Sequence, residues 1–409
     1  NRYILFTGDD MKLFNKSMMP VLALVLGHLV TDLQGGALPI VLPHLKELFA
    51  LSYSQLAVIV LTQNITSSVI QPVFGYMTDK KSMPKLLPYC AALAGAGFAL
   101  IGWVTAYELL LLTVIFIGVA SATYHPQASK TVNFLSSPEN KAGNMGLFSL
   151  GGNAGMAFGS VAMAFLINQP GELHNTAYFV LPGLLVFGLM VKCMPAYIKV
   201  NKEYNLQKSK KQESGTAAQI SYIGIGILLI FIFLRSTIHT GLSTYLPLFF
   251  LNFRGSDSAF ASMLVSGFLL GGVAGTYVGA VLSDRLGARK IIVGSIIFSI
   301  PAIWLISAVN SPAAVLAAVV LAGFSIIGSF ATTIIVAQTM LPDNVGMAAG
   351  LTIGFSVGMG GFGVTMLGFL ADTWGLPFVM QIITWLPVAA AVIAFGISIP
   401  EELKKNSNR

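Results

Sequence analysis

The chain consists of long apolar runs separated by short polar segments. The runs extend for about 20 residues or more, the length that a helix needs to cross the hydrocarbon core of a bilayer. They are continuous rather than alternating, which argues against a membrane β-barrel. The pattern predicts an all-α membrane protein with twelve transmembrane helices, over residues 19–45, 53–78, 85–106, 108–133, 142–168, 176–198, 220–252, 257–283, 289–309, 312–338, 345–372 and 375–399.

The longest polar segment separates these helices into two groups of six. The predicted order is an N-terminal segment, a six-helix bundle, a basic cytoplasmic linker, a second six-helix bundle and a cytoplasmic tail, over residues 1–18, 19–198, 199–219, 220–399 and 400–409. The lysines of the linker favour a tether beside anionic lipid. Met11 is typical of a natural start, so we expect residues 1–10 to be either vector-derived or an overlong start.

Composition supports a membrane protein, because 55% of the residues are hydrophobic and only 10% are charged. A soluble domain carries about 25% charged residues, so a soluble enzyme and a nucleic-acid-binding domain are excluded. Lysine and arginine concentrate at the termini and in alternate loops, with Lys46 and Arg254 as exceptions. This positive-inside bias predicts that both termini face the cytoplasm of a bacterial inner membrane. Cys90 and Cys193 indicate no disulfide framework.

Landmarks in the first half recur in the second. Asp79-Lys80 follows the second helix and Asp284-Arg285 follows the eighth, 205 positions later. The two loops read Gly75-Tyr-Met-Thr-Asp79-Lys80-Lys81-Ser82 and Ala280-Val-Leu-Ser-Asp284-Arg285-Leu-Gly287-Ala-Arg289.

These loops resemble the signature of the major facilitator superfamily. The resemblance implies two six-helix bundles with a substrate cavity between them, alternating access, and function as a monomer. It also implies that the charged side chains of the loops form a conformational latch, with Asp79, Lys80, Asp284, Arg285 and Arg289 as its members. Ser82 departs from the family pattern, which has glycine at this position.

Further motifs resemble the fosmidomycin-resistance branch of drug efflux proteins. They are Gly27-His28-Leu-Val-Thr-Asp32, Gln71-Pro72-Val-Phe-Gly75, His125-Pro126-Gln127-Ala-Ser129-Lys130 and Gly151-Gly152-Asn153-Ala-Gly155. This resemblance implies proton-driven export of an anionic phosphonate antibiotic. Gln127 and Lys130 depart from the branch pattern, which has an acidic residue after His-Pro and often arginine at the end of the motif.

Asp32 lies near the middle of the first helix, and His28 lies one turn earlier on the same face. An ionisable side chain at membrane depth is costly and is therefore a functional candidate. We predict that Asp32 and His28 form a proton-coupling pair. The alternative is an aspartate that is hydrogen-bonded inside the bundle and never changes its protonation.

Arg235 lies near the middle of the seventh helix, with His239 one turn later. The planar guanidinium of Arg235 fits carboxylates and phosphonates, so Arg235 is predicted to bind substrate. His239 is predicted to bind substrate beside it. Asp32 and an anionic substrate are both candidate counter-charges for Arg235. The hypothesis is that they compete, with protonation of Asp32 deciding the partner; a permanent ion pair is the alternative.

The remaining candidates are polar side chains on other helices. His125 precedes Pro126, which kinks the fourth helix and exposes carbonyls, and it is predicted to bind substrate together with Asn153 and Gln338. Lys130 is expected to extend to the cytoplasmic interface. Glycines at four-residue spacing predict close helix packing or a rocking interface, at Gly151, Gly155, Gly159, Gly350, Gly354 and Gly358.

Several functions lack support in the sequence. It contains no phosphate-binding loop, no catalytic arrangement and no convincing metal motif, so the proton gradient is the expected energy source and no cofactor is expected. The predicted partners are a small anionic substrate, protons and the lipid bilayer. Uptake or facilitated diffusion of an organic anion or metal chelate stays open, as does a membrane-embedded sensor or enzyme.

Overall fold

The computed structural model describes residues 8–51, 53–213 and 221–403, and these are almost entirely helical. Parts of the predicted N-terminal segment, linker and tail (1–7, 214–220 and 404–409) lie outside the described residues. The helices are α1 Gly8–Leu48, α2 Tyr53–Asn64, α3 Gln71–Lys80, α4 Leu86–Leu100, α5 Tyr107–Leu135, α6 Lys141–Leu166, α7 Val180–Glu213, α8 Tyr222–Phe253, α9 Ser258–Leu286, α10 Ala288–Ala308, α11 Pro312–Ile327, α12 Phe330–Met340 and α13 Val345–Phe395.

Ten helical stretches in the described part of the chain are long and apolar enough to cross a membrane. Two features explain why ten such stretches are found in place of the twelve predicted helices. The helix predicted over 53–78 is divided into α2 and α3 by a π-helical turn at Ile65–Val69. The last two predicted helices lie together in α13, which departs from helical geometry at Gly375, where φ is +81°. Such a φ favours glycine, so Gly375 separates the two segments.

Two helices extend beyond their predicted ends. α1 begins at Gly8 rather than at residue 19, and α7 continues to Glu213, into the segment predicted as a tether. Apolar runs indicate where a helix crosses the membrane, but the backbone also stays helical through polar residues of high helix propensity. In the extension of α7, Lys199 and Glu203 form an exposed i,i+4 pair with an N–O distance of 4.0 Å.

The described residues form two compact units. Unit 1 contains the residues up to 70 together with 74–137 and 147–213, and unit 2 contains 71–73, 138–146 and those from 221 onward. In unit 2, a buried core extends through α8, α9, α10, α11 and α13. In unit 1, α1 packs against α4, α5 and α7.

Glycines on α6 allow α6 to approach the backbone of α1 closely. A methyl group at Gly151 would lie 2.5 Å from the carbonyl oxygen of Val25, and one at Gly155 would collide with the carbonyl of Leu29. A methyl group at Gly159 would likewise collide with the carbonyl of Leu33. These three predicted glycines therefore provide close packing between two helices of the same unit.

Replacing Gly155 with alanine should lower the thermal unfolding midpoint in detergent, because the added methyl group forces α1 and α6 apart. Overpacking of this kind costs about 1–3 kcal/mol. The matched control is Gly188→Ala, at an exposed position of α7 where a methyl group meets nothing within 4 Å. Equal midpoints for the two variants would contradict the close contact.

Candidate functional site

Unit 1 contains a cluster of three ionisable side chains, the His28–Asp32–His125 cluster. Nε2 of His28 lies 3.2 Å from Oδ2 of Asp32, and Nε2 of His125 lies 3.0 Å from Oδ1. Each carboxylate oxygen therefore faces its own imidazole. The two rings meet edge to face with centroids 4.7 Å apart. Both histidines are buried, while the Asp32 side chain is 19% exposed, so the carboxylate is the accessible member.

The orientation of His28 depends on α6. Its Nδ1 lies 2.6 Å from the carbonyl oxygen of Phe148, and its ring stacks on the Phe148 ring at a centroid distance of 4.1 Å. One turn later, a methyl group at Gly152 would collide with Nε2 of His28 and lie 2.7 Å from Oδ2 of Asp32. Glycine at this position therefore leaves the space in which the carboxylate and the imidazole meet.

His125 is held by its own helix. Its Nδ1 lies 2.7 Å from the carbonyl oxygen of Ser121, one turn earlier, and 3.3 Å from the Ser121 hydroxyl. The neighbouring Tyr124 donates a 2.7 Å hydrogen bond to the carbonyl of Leu24 on α1. This bond ties α5 to α1 beside the cluster, so His125 meets Asp32 although 93 positions separate them.

The cluster changes the interpretation of two predictions. The sequence predicts that His125 binds substrate, but the structure places it on the carboxylate of Asp32, the residue predicted to couple protons. The nearest donor atoms of the three side chains lie within 4.8 Å of one another, a spacing that a metal ion can also use. The sequence predicts no metal site, since the third group of this cluster lies 93 positions from Asp32 and on another helix.

The Lys130 side chain is buried against the end of α3 rather than extended into water. Its side chain is 1% exposed, and Nζ donates hydrogen bonds to the carbonyl of Thr78 at 2.6 Å and to Oδ1 of Asp79 at 3.2 Å. Burying the ammonium costs less in this arrangement because a carboxylate and a carbonyl replace its water. The predicted latch residue Asp79 is thus paired within unit 1.

A polar network connects the loop after α3 to α5 and α7. Gln127 donates to Thr131 at 3.2 Å and to Asn201 at 3.3 Å, and Ser82 donates to Asn201 at 2.7 Å. Ser82 is not among the residues with positive φ, whereas Gly287, its counterpart in the second half, has φ of +91°. The first loop therefore does not need the glycine that Ser82 replaces.

Of the other predicted latch residues, Asp284 and Arg289 have hydrogen-bond partners of their own. Asp284 accepts hydrogen bonds from the backbone N–H groups of Ala142 and Gly143 at 3.0 and 2.6 Å, at the first turn of α6. A carboxylate is favoured at a helix N-terminus, because the unpaired N–H groups there carry the positive end of the helix dipole. Lys80 and Arg285 are exposed, and Arg289 donates to the carbonyl of Phe395 at 2.7 Å.

Unit 2 contains a buried cation. Arg235 on α8 is 3% exposed, and Nη1 donates to the hydroxyl of Thr333 at 3.1 Å, with Ser329 at 3.5 Å. The guanidinium also lies over the Phe330 ring, 5.2 Å from its centroid. Nη2 has no hydrogen-bond partner among the described residues. Within the described part of unit 2, no carboxylate forms an ion pair with Arg235.

The three remaining candidates are His239, Gln338 and Asn153. His239 follows Arg235 by one turn and packs against Phe268, with ring centroids 5.4 Å apart. Gln338 is buried on α12, and Asn153 is half-buried on α6 directly after Gly152. Substrate contacts at these side chains stay predictions, as does the competition between Asp32 and substrate for Arg235.

The model of the Major Facilitator Superfamily matches residues 24–261 and, again, residues 228–409. The chain belongs to this superfamily. Its sequence is 28% identical to the fosmidomycin resistance protein of Escherichia coli K12 over 380 residues, which cover 91% of each chain. It is 29% identical to the uncharacterised MFS-type transporter YfnC of Bacillus subtilis 168 over 395 residues, which cover 95% of each chain.

Solved structures of the superfamily have the same fold. The fucose:proton symporter FucP of E. coli superposes with a TM-score of 0.71 over 94% of this chain and all of that chain, at 15% identity. The proton:xylose symporter XylE superposes with a TM-score of 0.70 over 95% of this chain and 98% of that chain, at 13% identity. The predicted two-domain, all-helical membrane fold of the superfamily is thereby confirmed.

Removing Asp79 should destabilise unit 1, because Asp79→Ala leaves the buried Lys130 ammonium without its carboxylate. Breaking one partner of a buried ion pair costs about 3–5 kcal/mol, measurable as a lower midpoint of thermal unfolding. The double variant Asp79→Leu/Lys130→Met should recover a large part of this loss. Glu203→Gln is the control, because its pair with Lys199 is exposed. A single variant as stable as the control would contradict the pairing.

Proposed function

We propose that this chain is a secondary active transporter that exports small anionic compounds by proton-coupled antiport. It works by alternating access, as a monomer in the bacterial inner membrane, with both termini in the cytoplasm. The proton gradient supplies the energy, and neither a cofactor nor nucleic acid takes part. The observation that carries the proposal is Arg235, a buried cation without a carboxylate partner in the described part of its unit.

Burial of an arginine in a low-dielectric bundle costs several kcal/mol unless a counter-charge compensates it. The hydroxyl of Thr333 and the ring of Phe330 compensate only in part, and Nη2 still has a hydrogen-bond donor to offer. An anion with two or more oxygens would use this donor and neutralise the charge. Such a site is costly when empty and favourable when an anion is bound, which is the behaviour expected of a substrate anchor.

The likeness to the fosmidomycin resistance protein supports the class of substrate and the direction of transport. Fosmidomycin is a phosphonate, and its charged oxygens fit the guanidinium fork. In this proposal His239, His125, Asn153 and Gln338 provide further contacts to the substrate. Asp32 and His28 take up the protons that drive export, since a carboxylate with limited exposure between two imidazoles can exchange protons with water.

A second candidate is proton-coupled uptake of the same anions, which would follow from the hypothesis that Asp32 and the substrate compete for Arg235. If ionised Asp32 and the substrate compete for Arg235, protonation of Asp32 frees the arginine for the substrate. Proton and anion then bind together, which is the coupling of a symporter. Antiport requires the opposite effect of protonation on substrate affinity: protonation of the cluster must weaken substrate binding. The pH dependence of affinity therefore distinguishes the two candidates.

Asp32→Asn should abolish proton-driven transport of fosmidomycin in proteoliposomes, because asparagine cannot carry the coupling proton. The wild-type protein should move fosmidomycin against its own gradient when a pH gradient is imposed. The variant should at most equilibrate it, while its thermal unfolding shows that it is folded. Wild-type activity with an unchanged pH profile in the variant would remove Asp32 from the mechanism. A wild-type protein that moves nothing would favour a sensor.

Arg235→Gln should weaken fosmidomycin binding about 10- to 100-fold, because a hydrogen bond to a charged group contributes about 1.5–3 kcal/mol. Isothermal titration measures the affinity at several pH values. Arg254→Gln is the control, since Arg254 is exposed and bonded to Asn310. Wild-type affinity that rises with pH supports antiport, and affinity that falls with pH supports uptake. Equal binding by both variants and the wild type would exclude Arg235 as the anchor.

A further inference from the structure

The number of protons on the His28–Asp32–His125 cluster follows from its hydrogen-bonding geometry. Nδ1 of His28 lies beside the carbonyl oxygen of Phe148, and Nδ1 of His125 lies beside the carbonyl oxygen of Ser121. A carbonyl oxygen only accepts hydrogen bonds, so both Nδ1 atoms carry a hydrogen. The second hydrogen-bonding atom of each ring, Nε2, is therefore the one whose proton can be exchanged.

Both Nε2 atoms point at Asp32, at 3.2 and 3.0 Å. Without a proton between them, each contact would bring the lone pairs of a nitrogen and an oxygen together. The two contacts involve different oxygens of one carboxylate, so each requires a proton of its own. Asp32 can carry at most one of them, and hence at least one imidazole is an imidazolium in this arrangement.

We infer that the His28–Asp32–His125 cluster is a two-proton store in which His125 is a proton carrier rather than only a substrate ligand. With both protons the cluster has a net charge of +1, whichever of the three groups holds them. Loss of one proton to water leaves it neutral, with one imidazole no longer bonded to the carboxylate. Loss of the second leaves Asp32 as a bare carboxylate and the cluster at −1. The use of these protons in transport rests on the proposed function.

The surroundings of the cluster contain no competing charge among the described residues of unit 1. Tyr124 on α5 is the other titratable group facing the rings, and its hydroxyl donates to Leu24 on α1. Behind it, Tyr197 on α7 donates to the carbonyl of Pro20, and the buried thiol of Cys90 lies on α4. From α6 the cluster meets the Phe148 ring and Gly152. The two exchangeable protons therefore belong to the three groups themselves.

Imidazole ¹⁵N signals test this count without any transport. The chain has five histidines, so full-length protein labelled at histidine and reconstituted in lipid gives few ring signals. Between about pH 5 and pH 9, the wild-type cluster should lose two protons in coupled steps. In both rings Nδ1 should stay protonated throughout, and the change should occur at Nε2.

Two variants should each hold one exchangeable proton fewer than the wild-type cluster. In Asp32→Asn, the amide oxygen accepts from one protonated Nε2 and the amide N–H donates to the other, bare Nε2. His125→Gln leaves a single imidazole beside Asp32. His174→Gln is the control, since His174 packs against Trp103 away from the cluster, and it should keep both protons.

A purely structural cluster would give a different result. A wild-type loss of fewer than two protons, or the same loss from wild type and Asp32→Asn, overturns the inference. So does a metal-bound Nε2 signal that EDTA reverses, because the cluster would then hold a cation. A two-proton titration in a protein that does not transport fosmidomycin would reject the proposed function and leave the two-proton store intact.

Discussion

The structure depends most on the rule that a charge buried in a helical bundle needs a partner, because burial removes most of the water that would otherwise solvate it. Asp32 and Lys130, in the described part of unit 1, obey this rule. Asp32 has an imidazole on each oxygen, and Lys130 has Asp79 together with a carbonyl. Arg235 of unit 2 has hydroxyl groups and aromatic rings instead. The described fold itself therefore neutralises Asp32 and Lys130, whereas Arg235 has polar but uncharged neighbours.

The partners of Asp32 depend in turn on how closely the helices approach. The glycines of α6 bring its backbone against α1, and this approach puts the Phe148 carbonyl within reach of His28. The hydrogen bond from Tyr124 to Leu24 does the same for α5 and His125. Backbone carbonyls thus select which ring nitrogens face the carboxylate. The electrostatics of the cluster therefore follow from packing rather than from the three ionisable residues alone.

Much of the fold was predictable from the sequence because a membrane helix is determined by a long local run of apolar residues. The pairing of His28 with Asp32 was also local, since residues four apart share a helical face. His125 could not be placed on Asp32 in this way, because the contact links two helices and spans 93 positions. The burial of Lys130 was unpredictable for a similar reason. Its partner Asp79 lies 51 positions away, and a lysine near a helix end resembles one that reaches the interface.

The two copies of the charged loop differ in what their backbones permit. Gly287 adopts a left-handed conformation, while Ser82 keeps an ordinary one and ties its loop to Asn201. A side chain is therefore tolerated in the first copy and strained in the second. The second copy therefore carries glycine at the position where its backbone requires one, and the first copy uses the same position for a hydrogen bond.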